Sequence, residues 1–106
     1  MHLLAATGLP AGALAAAAEF HARVLPQLPA EGDLLIRFDA ADHTHRGWRL
    51  AAVQQLARER APGRVNAVAG GGDAAVASAR AYLAGASGLT GQLLDLDDLG
   101  AGSVIG

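Results

Sequence analysis

The chain has 106 residues, 52% hydrophobic and only 4% aromatic, with a net charge of −2 and neither cysteine nor lysine. That length suits one compact domain with a modest core, to which association would add stability. The weak negative charge, with no run of arginine, excludes a face for a phosphate backbone; the lack of thiols excludes a disulfide framework and suits a reducing cytoplasm.

Short apolar runs alternate with longer helical patterns, which is the sign of βα units feeding a parallel sheet. His2 to Ala6 reads as the first strand, ended by Thr7-Gly8. Pro10 opens a helix running to about Leu28, closed by Pro26 and Pro29. The apolar stretch from Leu3 to Ala18 is neither an export signal nor a membrane span, because the first arginine is Arg23 and Gly8, Pro10 and Gly12 interrupt it. Asp33 to Phe38 is a second strand, buried on both faces. A helix from about Thr44 to Arg60 follows, and Pro62-Gly63 stops it.

Arg64 to Ala69 makes the third strand. Gly70-Gly71-Gly72 then turns the chain into a helix capped by Asp73 and ending near Gly85, the glycines reading as a tight turn before an anion cradle. Gly91 to Leu96 is the fourth strand. Asp97 to Gly106 reads as a short tail or an edge extension.

The polar cluster Asp39, Asp42, His43, Thr44, His45 and Arg46 falls where the second strand hands over to its helix, the edge at which open parallel sheets bind ligands. Asp39, Asp42, His43, His45 and Arg46 form the candidate residual ligand pocket. The structural reading of the same residues is a helix N-cap at Asp42 or Thr44 with solvated imidazoles. His43 and His45, two apart at a helix start, are poorly spaced to share a metal. His2 and His21 lie in apolar patterns and read as satisfied or interfacial. Both early helices are apolar over most of their circumference, which calls for cover beyond the sheet, from a partner subunit.

The run Leu56-Ala57-Arg58-Glu59, then Ala61-Pro62, then Arg64-Val65-Asn66-Ala67-Val68, followed by Thr90-Gly91-Gln92 and Asp97, resembles the closing half of a short-chain dehydrogenase/reductase. In that family a Leu-Ala-x-Glu helix end leads into an Arg-Val-Asn-x-Val-x-Pro-Gly strand. Phe20 to Pro26 is similar to the family's helix ending in Leu-Pro. The resemblance implies an α/β domain over residues 1–106, a truncated Rossmann-like fold in two or three layers with about four parallel strands and three helices.

Carried over residue by residue, the family's chemistry is missing. Its catalytic tyrosine position falls on Asp42 and its lysine on Arg46, while the chain's single tyrosine, Tyr82, lies far along in the third helix. An arginine does not replace that lysine, since it stays protonated and presents a planar fork. The helix asparagine falls on Ala13, and the catalytic serine has no counterpart. Gly70-Gly71-Gly72 stands in place of the substrate lid, and the Gly-rich cofactor half would precede Met1. The expectation is therefore no catalytic residue of the family's kind, no cofactor and no metal.

By the same resemblance, the first two helices build a homodimer through Phe20, Val24, Trp48, Arg49, Val53 and Leu56. The leading function is a non-catalytic structural or interaction protein that self-associates. The alternatives are an accessory subunit completing a fuller dehydrogenase-like partner, or a small enzyme or anion-binding module using the Asp39 to Arg46 cluster. Neither nucleic acid nor membrane is expected as a partner.

Overall fold

The computed structural model describes residues 1–96 and 102–104. Strands β1 (His2–Ala6), β2 (Leu34–Phe38), β3 (Val65–Ala69) and β4 (Leu93–Leu96) lie side by side in that order, all parallel. Strand β5 (Gly102–Val104) adds to β4 antiparallel, so the part of the C-terminal segment that is described extends the sheet edge.

Helices α1 (Ala13–Glu19) and α2 (Arg46–Arg60) cover one face of this sheet, and α3 (Asp73–Gly85) covers the other. The strand alternation sends Leu34, Ile36 and Phe38 toward α1 and α2, and Leu35 toward α3, which makes three layers. Every residue of β3 is buried, as expected for a central parallel strand.

The first helix is shorter and less regular than its sequence implies. It begins at Ala13 behind Gly12, not at Pro10, and has no side-chain cap. The reason lies at Ala11, whose carbonyl faces the His45 ring and not the helix. After Glu19 the helix widens through Phe20–Val24 and tightens again over Leu25–Gln27, with Phe20 and Val24 both fully inside. The second helix is entered by a tight turn, His43–His45. Gly72, not Asp73, caps α3, and the Asp73 carboxylate instead accepts from Arg37 Nη1 at 2.9 Å.

Two side chains tie the loops to the sheet. Asn66, fully buried in β3, donates to the Leu89 carbonyl and accepts from Gln92 N–H, fixing the turn into β4. Arg64 pairs with Asp33 and donates to the carbonyls of Leu83 and Ala86 at the end of α3. Gly70 and Gly71 both have positive φ, 75° and 74°, and a Cβ on Gly71 would meet Leu96 Cβ at 2.9 Å. The triple glycine is thus a packed turn.

Cover is incomplete beside β1, one of the sheet's two edge strands among the described residues. Met1, Leu3, Val76, Ala77 and Ala81 line an open groove of about 500 Å³ between that strand and α3. Among the described residues, no helix is long and apolar enough to cross a membrane.

Candidate functional site

At the carboxyl edge of the sheet, β2 ends at Phe38 and the chain passes through Asp39 to Asp42 into α2. Asp39 works through two groups. Its carboxylate accepts from Gly8 N–H at 2.9 Å, tying the turn after β1, and its carbonyl accepts from Arg49 Nη1 at 2.9 Å. Asp42 caps the tight turn, accepting from both the hydroxyl and the N–H of Thr44. Those bonds, the hydroxyl's first, hold its carboxyl below the usual carboxylate range.

His45 departs from the solvated imidazole expected of it: it is buried. Its Nδ1 accepts from Trp48 Nε1 at 3.1 Å, which places the ring's proton on Nε2 if the imidazole is neutral. Nε2 then donates to the Ala11 carbonyl at 2.8 Å. Both ring nitrogens are engaged, so His45 is a latch between the turn before α1 and the start of α2. His43 and Arg46 stay exposed on the rim.

The floor is aromatic. Phe20, Phe38 and Trp48 meet one another at centroid distances of 5.5 to 5.6 Å. Arg49 lies on this cluster, its guanidinium carbon 4.6 Å from the Phe38 ring centre and 5.8 Å from that of Trp48. It is only 6% exposed. Burial lowers its pKa, opposed by the charges of Asp39 and Asp95. Its Nε is buried without a hydrogen-bond partner.

Two adjoining cavities open here, of about 210 and 270 Å³. The first is lined by Asp42, His43, His45, Arg46, Arg49 and Asp95, and the second by Asp39, Asp42, His45 and Arg49 among others. All five candidate pocket residues therefore come together. Sequence reasoning placed Arg49 on an outer face and passed over Asp95. The available signals were positional: Arg49 follows His45 by four residues, one helical turn, and Asp95 lies late in the last parallel strand, at the same sheet edge.

The six residues expected to face a partner are also gathered, but inward. Phe20, Val24, Arg49, Val53 and Leu56 are buried within the chain itself, and Trp48 is half-buried. Helices this rich in alanine find cover in their own aromatic and aliphatic cluster. Outward, α1 offers the exposed Leu14, and α2 with the segment after α1 offers a shallow cavity of about 160 Å³ with Phe20 and Leu56 in its walls, rimmed by His21, Gln55 and Glu59. His21 is exposed, with Nδ1 2.6 Å from the Ala17 carbonyl, and His2 is exposed on β1.

Chemically, this edge offers a caged cation, carboxylates on its rim and a histidine engaged at both nitrogens. Among the described residues, no group of three His, Asp or Glu side chains is placed to hold a metal ion. Gly8 N–H is taken by Asp39 and Gly70 N–H by the Phe38 carbonyl, so neither is aimed at a phosphate. A family model described as SDR-like, short chain dehydrogenase-like protein, matches residues 4–96. No curated protein and no solved structure matches the chain.

Proposed function

The chain belongs to the short-chain dehydrogenase-like family, and from that premise we propose that it is a non-catalytic member acting as a self-associating structural module. The observation that carries this reading is Asp42. It stands where the family has its tyrosine, and its carboxyl is held by Thr44 as a turn cap. Arg46 stands at the lysine position, and the neighbouring imidazole of His45 is held at both nitrogens. A relay needs groups able to exchange protons with a substrate, and these are committed to local structure.

Self-association is favoured by what the fold leaves open. The proposed contact surface is the shallow cavity between α2 and the segment after α1, with Leu25 and Leu56 in its walls, together with the exposed Leu14 of α1. Light scattering on the purified chain, with a thermal-shift screen against NAD(H), NADP(H) and divalent metals, tests the reading. The expected result is an ordered oligomer with no cofactor or metal response; a stable monomer, or a saturable shift with a dinucleotide, overturns it.

A second reading rests on β1. That strand is an edge strand of the sheet, carries no Lys or Pro, and borders the half-covered face beside α3. A fuller dehydrogenase-like chain pairing there would make this protein an accessory subunit. Insolubility relieved by one specific partner would favour this reading.

A further inference from the structure

We infer that the cleft at the carboxyl edge binds a small zwitterion, an α-amino carboxylate whose carboxylate meets Arg49 and whose ammonium meets Asp95 and Asp42. The buried cation is the starting point. Among the described residues, the ion pairs found involve Arg23, Arg37 and Arg64, and none involves Arg49. Its Nη1 has one neutral acceptor, the Asp39 carbonyl, and its Nε has none. A cation removed from water and given so little in exchange is under-solvated. A ligand carboxylate reaching the remaining edge of the planar fork would correct that through charge-assisted hydrogen bonds. The rings of Phe38 and Trp48 hold the guanidinium in place, so little ordering remains to be done on binding.

The rim decides which anion enters. Asp42 and Asp95 line the same cavity as Arg49, and Asp39 and Asp95 already act on its charge. A phosphate dianion would meet those carboxylates and be repelled. A molecule with an ammonium adjacent to its carboxylate meets both signs in one step. The cavity of about 210 Å³ suits a small amino acid; Ala69 and Leu93 give it an apolar side for a short aliphatic chain. This inference is independent of self-association, because every residue it uses belongs to one chain.

The test is titration of the intact chain with L-alanine, sodium acetate and inorganic phosphate at matched ionic strength, read by melting temperature and by amide NMR shifts. L-alanine is expected to give a saturable rise in melting temperature with shifts around Arg49 and Asp95, while acetate and phosphate do not. Arg49→Lys and Asp95→Asn are each expected to weaken the response by about tenfold or more. Asp95 is exposed, so its variant remains informative even if the Arg49 variant is poorly folded. No saturable response to L-alanine, an equal response to acetate, or unchanged binding by Asp95→Asn would each overturn the proposal.

Discussion

Arg64 holds Asp33 with two nitrogens, Nη2 at 3.0 Å and Nε at 3.2 Å from one carboxylate oxygen, while the Arg64 backbone N–H donates to the other at 2.9 Å. The same guanidinium reaches Leu83 and Ala86 carbonyls at 2.9 and 2.7 Å, so one side chain joins the starts of β2 and β3 to the end of α3. Removing it leaves the part-buried Asp33 carboxylate with the backbone N–H alone and takes the charged donor from two helix-end carbonyls, which keep only the N–H groups of Ala86 and Leu89. Arg64→Ala is expected to cost about 2–4 kcal/mol, measurable by urea unfolding. Arg64→Lys should recover less than half of that loss, because an ammonium cannot reproduce the fork.

The pair also sets an acid limit. The Asp33 carboxyl is held below its ordinary value first by the Arg64 backbone N–H and then, against some burial, by the guanidinium. A depressed folded pKa stabilises the fold at pH above the unfolded value, about 3.9, and that contribution is lost as pH falls below it through the folded pKa. Stability measured from pH 6 down to about 2 should fall in the lower part of that window. Asp33→Asn should start less stable and show a shallower fall; an unchanged slope would detach Asp33 from the acid response.

Trp48 is the chain's single tryptophan and donates to His45, so its fluorescence reports on the latch at the carboxyl edge. His45→Ala removes the acceptor for Trp48 Nε1 and the donor to Ala11. The expected cost is about 2–3 kcal/mol, with a red-shifted, more quenchable emission. Trp48→Phe keeps the ring in the cluster and should cost less than His45→Ala, since only one hydrogen bond is lost.

The glycines give a paired comparison. Gly71→Ala forces an L-residue to φ 74° and pushes Cβ to 2.9 Å from Leu96 Cβ, so a loss of about 2–3 kcal/mol is expected. At Gly47, in the first turn of α2, an added Cβ meets nothing within 4 Å. Gly47→Ala should be neutral or stabilise by up to about 0.5–1 kcal/mol. Melting curves of the two variants decide the matter, and a harmless Gly71→Ala would contradict the packed-turn reading.

The four parallel strands and three helices were legible because alternation of apolar runs with helical patterns is local information, and the strand motif around Asn66 carried the family resemblance. The ends of elements were not. The start of α1 depends on a hydrogen bond from His45, 34 residues away from Ala11, and no local propensity contains it. The pocket cluster from Asp39 to Arg46 is contiguous in sequence and was found. Arg49, expected at a partner interface, lies buried on the Phe38 and Trp48 rings of its own chain, a tertiary contact of which the local sequence carries no sign.

Asn66 is the chain's sole asparagine and is fully buried. Its amide nitrogen donates to the Leu89 carbonyl at 3.0 Å and its oxygen accepts from Gln92 N–H at 3.0 Å, a donor and an acceptor used in opposite directions across one turn. Asn66→Asp keeps the shape but replaces the donor with a second acceptor and places a charge in the core. Asn66→Leu keeps the branching with bulkier, apolar ends, and removes the partner of Gln92 N–H and the nearer of two donors to the Leu89 carbonyl. Each is expected to cost about 2–4 kcal/mol, with Asn66→Asp gaining stability as pH falls and its carboxyl protonates. Urea unfolding of both variants at pH 7 and pH 5 separates the two effects: only the aspartate variant should recover at the lower pH. Equal pH dependence in the two would mean that the donor at this position matters less than the space it fills.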